Sequence, residues 1–254
     1  MIFRRRTKAE IDPDERGQRT DDAVAEPDEA DADADGTDAT VASDGSEEAD
    51  EGGADWEALD DQDWREDGPY DVDELDPADD PDLRLDLGGV VIRGFDGMEL
   101  RLQVAEETQQ IVSAMMLKGS SALEVSAFAA PRSGGLWTEL REEVIVAATE
   151  AGGSVGLVEG PFGTELRRLL PVTTPDGQDG YQPSRMWAAQ GPRWLLRGVL
   201  YGEAAVVDGV DEPAVAELLS AFRAIIVRRG EEAMAPGDLL PLQFPKALVP
   251  PSDE

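Results

Sequence analysis

The chain has 254 residues, and 56 Asp and Glu against 22 Lys and Arg give a formal net charge of −34. It contains no Cys and no His. That excludes a disulfide framework, a zinc finger, c-type haem, a thiolate nucleophile, Ser-His-Asp and Cys-His relays and a 2-His-1-carboxylate iron site. A charge of this sign repels phosphate backbones and anionic lipid. No direct nucleic-acid binding and no stable membrane anchoring are expected, and a basic protein surface is the expected kind of partner.

Residues 1–86 hold 33 acids and 8 bases, whereas residues 87–254 hold 23 and 14. This asymmetry predicts an acidic tail (1–86), one folded domain (87–246) and a flexible C-terminus (247–254). The tail opens with a basic cap, Met1 to Lys8. Residues 9–54 are rich in Asp, Glu, Ala, Gly, Thr and Ser and hold no aromatic residue. They cannot bury enough apolar surface to offset their ordering entropy, so disorder is expected. In residues 55–76, Trp56, Leu59, Trp64 and Tyr70 stand among carboxylates, a composition of binding segments. These four residues are the candidate partner anchors, for a basic protein surface or for the protein's own domain. The start Ile2-Phe3-Arg4-Arg5-Arg6 has no apolar run after it and nothing reaches the length of a membrane span, so a cytoplasmic protein is expected.

Within the domain, Met98, Leu100, Leu102 and Val104 alternate with Glu99, Arg101 and Gln103, the period of a half-buried strand. Asp96-Gly97 is a tight-turn dipeptide joining it to a strand over 90–95. Residues 111–117 and 122–128 flank Lys118-Gly119-Ser120-Ser121, a second hairpin signal. Residues 106–116 also read as a helix, and the alternatives stay open. A helix is predicted over 136–151, with Leu136, Leu140, Val144 and Ala148 on one face and Gly152-Gly153 as its stop. Strands over 155–158 and 164–172 surround Gly160-Pro161-Phe162-Gly163. A polar loop (173–185) follows, then a hairpin of 194–201 and 204–207 around Gly202-Glu203. A helix over 213–229, capped by Asp211, carries the stripe Val215, Leu218, Phe222, Ile225. Leu239, Leu240, Leu242 and Phe244 are expected to pin an extended C-terminal stretch. The fold class is α+β: a mostly antiparallel sheet with two amphipathic helices packed on one face.

Three stretches carry a family resemblance. They are Phe128-Ala129-Ala130-Pro131-Arg132-Ser133-Gly134-Gly135-Leu136-Trp137, Gly160-Pro161-Phe162-Gly163-Thr164-Glu165-Leu166, and Gly191-Pro192-Arg193-Trp194-Leu195-Leu196-Arg197-Gly198. With the basic start and acidic tail, they resemble the actinobacterial family catalogued as domain of unknown function 3710, over about residues 87–246. The resemblance implies a cytoplasmic protein of actinobacterial origin. That family has no assigned activity, so no catalytic residue is carried over.

The candidate chemistry is sparse. Asp31-Ala32-Asp33-Ala34-Asp35-Gly36 matches half of a calcium loop, but its twelfth position is Ala42 and no helices flank it, so chance in an Asp-rich tract explains it. Gly160–Thr164 reads as a turn rather than an anion cradle. Arg132, Ser133, Gly134 and Gly135 before the first helix form the best small-ligand candidate. The free N–H groups of a helix start attract anions, and Arg193 and Arg197 are expected to share one side of a strand. The plainer reading makes Ser133 the helix cap. No nucleophile has an identifiable activating partner, and no cofactor or metal is implied. The leading expectation is a non-enzymatic protein–protein interaction module whose acidic-aromatic tail engages a basic surface. The alternative is a small-anion or nucleotide sensor using the arginine-lined helix start.

Overall fold

A computed structural model describes residues 54–79, 84–174 and 176–245, all in one compact unit, Glu51–Glu254. The basic cap, the half calcium motif, the low-complexity tract up to residue 53 and the C-terminus 247–254 lie outside the described residues. The fold is α+β. In chain order its elements are α1 (Trp56–Asp60), β1 (Tyr70–Asp71), a 3₁₀ turn (Pro77–Asp79), β2 (Arg84–Asp86), β3 (Val90–Arg93), β4 (Glu99–Val104), β5 (Ile111–Lys118) and β6 (Ser121–Ala129). They continue with α2 (Leu136–Glu150), β7 (Ser154–Gly160), β8 (Gly163–Thr173), β9 (Asp179–Gly191), β10 (Trp194–Gly202), α3 (Glu203–Val206), α4 (Pro213–Arg223) and β11 (Ile226–Val227).

A seven-stranded sheet, ordered β4-β5-β6-β10-β9-β8-β7, forms the centre. Its ladders are all antiparallel. A four-stranded sheet, β1-β11-β3-β2, lies beside it. Alternation along β10 assigns the two faces of the large sheet. Leu195 and Val199 join Leu136 and Trp137 of α2 in one core cluster. Trp194, Leu196 and Leu200 join Leu218 and Phe222 of α4, with Val90, Ile92 and Val227 of the small sheet, in the other. The two helices therefore cover opposite faces, which corrects the one-face expectation. Gly198 makes this packing possible, because a Cβ there would stand 2.7 Å from the Phe222 ring.

The structure resolves residues 111–118 as a strand, paired to β4 and β6. Three further differences have physical causes. The expected polar loop 173–185 is mostly β9, whose backbone pairs with β8 from Leu166 to Thr173 and whose Ser184 and Arg185 are buried. Residues 204–207 are not a strand, because Gly202 turns the chain at φ 71° and α3 follows, with Ala204 buried. The helix expected over 213–229 ends at Arg223. Ile226 and Val227 instead pair with both β1 and β3, as β-branched residues buried on both sides do. Glu212, not Asp211, precedes its first turn, and Pro213 supplies the preset φ. Leu240 and Leu242 are buried as expected, while Phe244 is 62% exposed.

The largest correction concerns the start of the fold. The acidic tail expected to run to residue 86, ahead of a domain starting at 87, is folded over residues 54–79, where α1 and β1 belong to the same unit as the sheets.

Candidate functional site

Residues 54–79 are held by polar groups that apolar periodicity does not reveal. Asp55 caps α1 by accepting from the Ala58 N–H at 3.0 Å. Asp60, at the end of that turn, accepts from the Thr164 N–H at 2.8 Å and from Arg141 of α2. The Thr164 hydroxyl donates to the Trp56 carbonyl, and the Trp137 indole donates to the Thr164 carbonyl at 3.0 Å. Gly163 has to be glycine here, because its φ is 89° and a Cβ would stand 2.9 Å from Asp60 Oδ1. Trp64 Nε1 donates to the Leu59 carbonyl at 2.8 Å.

The second anchor is β1. Tyr70 and Val72 donate their N–H groups to Ile225 and Val227. Asp71, 7% exposed, accepts from Trp194 Nε1 at 2.7 Å. Arg65 lies 5.1 Å over the Trp194 ring and grips Glu74 through two bonds of 3.0 and 3.1 Å. The hydrogen bond from Arg65 holds the Glu74 carboxyl below its ordinary 4.5. Trp56, Leu59, Trp64 and Tyr70 are thus half-buried against their own fold.

A cleft of about 380 Å³ opens between this segment and the sheet. Asp61, Asp63 and Trp64 line one side; Arg132, Ser133 and Gln190 line the other. Arg132 and Ser133 are exposed. Ser133 does not cap α2; Gly135 does so in the left-handed region at φ 86°, with no side-chain bond. Gly134 is also left-handed at φ 76°.

The other two arginines expected beside Arg132 lie elsewhere. Arg193 occupies a turn at φ 66°, donates to the Gly230 carbonyl at 3.3 Å and faces a different cleft. Arg197 projects from β10 into the α2 side, 5.1 Å over the Phe128 ring. Burial there lowers its pKa, partly offset by Glu124 and Tyr201. Burial, with Glu124 beside it, raises the Tyr201 hydroxyl above its ordinary 10.0. The six anion candidates are therefore split among three places.

The outward face of α2 has a different character. Glu139, Glu142, Glu143, Val146 and Glu150 all fall on it and are all exposed, Val146 at 56%. The one cation of this helix, Arg141, turns inward to Asp60 and is 5% exposed. In α1 and the loop after it, Glu57, Asp61 and Asp63 are also exposed. In sequence, these glutamates are marked only by falling between the apolar positions of the helix.

Among the described residues, no group of three or more acidic side chains is placed to hold a metal ion. No described helix is long and apolar enough to cross a membrane. The family model described as "Protein of unknown function (DUF3710)" matches residues 68–250. The match begins ahead of the expected boundary at 87 and takes in β1. No curated protein matches the chain. Among solved structures, the chain is similar to cyanobacterial PsbP (CyanoP) from Synechocystis sp. PCC 6803. Identity is 9%, with 57% of this chain and 91% of that chain covered, at a TM-score of 0.33. A likeness of that size assigns neither fold nor function.

Proposed function

We propose, for a chain that belongs to the DUF3710 family of proteins of unknown function, a non-enzymatic module that presents an acidic helix face to a basic protein surface in the cytoplasm. The observation that carries this is the outward face of α2, with four glutamates around an exposed Val146 and its cation withdrawn into the fold. Glu139 sits three and four positions from Glu142 and Glu143. Like charges at these spacings cost a helix about 0.2–0.5 kcal/mol per pair. A helix selected for stability alone gains by interleaving cations, and a basic partner relieves the same repulsion. The acidic residues 9–53, outside the described fold, favour the same class of partner by sequence alone. The anion-sensor reading loses its geometry, because Arg132, Arg193 and Arg197 do not share a site.

The test replaces Glu139, Glu142, Glu143 and Glu150 together by Gln in the full chain. Proteins co-purified from the native cells are compared with those of the unchanged chain at rising salt. Basic partners are expected to be lost at low salt in the variant. Recovery of the same partners at equal strength overturns the reading.

A further inference from the structure

The seven-stranded sheet ends on β4 at one side and on β7 at the other, and the small sheet ends on β1 and β2. A sheet edge exposes a row of unpaired N–H and C=O groups, and folds guard it against pairing with other chains by charge, bulges, proline or shortness. Three of these four edges are guarded. β1 has two residues and β2 three. β4 carries exposed Glu99 and Arg101 and has a bulge between Gln103 and Val104. β7 has none of these devices. Its seven residues, Ser154–Gly160, pair with β8 without interruption, hold no proline or cation, and carry one charge, Glu159.

The hairpin fixes which backbone groups face outward. Pro161-Phe162 joins β7 to β8, so Gly160 and Gly163 close a two-residue turn as a bonded pair. Bonded and non-bonded pairs alternate along an antiparallel ladder, which turns the N–H and C=O of Glu159, Leu157 and Val155 away from β8. Thr164 fits this phase: it lies opposite Glu159, and its N–H donates to Asp60 instead. Among the described residues, no hydrogen bond from another element reaches the backbone of Val155, Leu157 or Glu159. The side chains of Val155, Leu157 and Val158 are left half-buried at this rim, and a Cβ on Gly156 would meet nothing within 4 Å.

We infer that β7 is a self-pairing edge, to which a second copy of this chain adds its own β7, antiparallel, across a two-fold axis. A pair centred on Leu157 uses every outward group of Val155, Leu157 and Glu159 in both copies, with Leu157 opposite Leu157 and Glu159 opposite Val155. The only charge on the strand thus faces a valine rather than itself, so no like charges stand opposed across the new ladder. Pairing of β7 with β4 of the next copy would continue without closing, and the charges and bulge of β4 oppose it. Each copy carries a net charge of −34, and that repulsion weakens the contact at low salt until screening relieves it. The contact is separate from the acidic helix face, and its salt dependence has the opposite sign.

The test begins with sedimentation velocity of the full chain from about 10 μM to about 1 mM, at low and at high salt. A monomer–dimer equilibrium is expected, with the dimer share rising with concentration and with salt. Glu159→Pro changes an exposed side chain, keeps the β8 ladder and deletes an outward N–H from each copy, so it should weaken the dimer on the order of tenfold or more. Amide exchange of the unchanged chain needs no variant. The Val155, Leu157 and Glu159 amides should exchange fast when dilute and gain protection as the dimer forms, whereas those of Gly156 and Val158, bonded to β8, stay protected throughout. A chain that sediments as a monomer over the whole range overturns the inference. So does a dimer that leaves the Val155, Leu157 and Glu159 amides unprotected, or one that is equally strong in folded Glu159→Pro.

Discussion

Glu165 is 1% exposed and accepts from Arg185 Nε at 2.8 Å, Arg185 Nη2 at 2.9 Å and Trp187 Nε1 at 2.6 Å. Arg167 approaches the same carboxylate at 2.9 Å from the more exposed side. Glu165→Gln removes the charge and leaves the Arg185 guanidinium, 1% exposed, without its counter-ion. Breaking one side of a buried pair costs about 3–5 kcal/mol, so urea unfolding should shift by that amount. Replacing both Glu165 and Arg185 by Leu should cost less, because no charge is left stranded. A Glu and an Arg inside otherwise apolar strands was the available signal for this pair. Periodicity marks which face a residue takes but not that two charges on neighbouring strands meet. The expected pairing of Arg193 with Arg197 fails for a related reason. Four positions apart on a strand do share a side, but Arg193 is in the turn at φ 66° and leaves the pleat altogether.

The elements that local pattern controls were legible. The β4 alternation, the Gly119 hairpin, the α2 stripe and the β7–β8 pair stand where their residues predict them. The elements fixed by distant partners were not. Pro183 and its polar neighbours read as loop, yet β9 is a central strand because β8 and β10 occupy both its edges. Ile226 continues a helical stripe in sequence, yet it and Val227 form a strand because β1 and β3 flank them. At this scale the behaviour of β1 with pH follows from Glu74. Arg65 depresses its carboxyl pKa in the folded state, so its contribution is complete above the ordinary 4.5 and is lost as pH falls through the lower folded value. The carboxylate is 40% exposed, so solvent screens the pair and the effect is local. Amide protection of Tyr70 and Val72, corrected for intrinsic exchange, should fall on acidification below 4.5. In Glu74→Gln it should be lower throughout and flat over the same window.

At the scale of the whole molecule, the acidic-aromatic segment is structural. Removing residues 1–82 strips the Asp60 partner from Arg141 and the Asp71 partner from Trp194, both buried, and bares one edge of β11. The stranded groups cost about 4–8 kcal/mol, against a total stability of about 5–15 kcal/mol for an ordinary domain. The shortened chain should aggregate or show no cooperative urea transition, while removal of residues 1–50 should leave the transition in place. Equal midpoints for the two truncations would refute the structural role. The charge asymmetry that separated tail from domain in the sequence is real, but it does not coincide with the border of the fold. Carboxylates such as Asp60 and Asp71 are used as internal acceptors, and net charge cannot tell those from solvated ones.

The parallel seam between β1 and β11 also bears on how the protein is made. Asp67 and Arg223, which meet beside it, are 156 positions apart. A ribosome adding about 5–20 residues per second delivers the later strand roughly 8–30 s after the earlier one. During that interval Trp56, Trp64 and Tyr70 have emerged with their docking surface still unsynthesised, in a stretch rich in carboxylates, and like charge opposes the association of chains whose apolar groups are still uncovered.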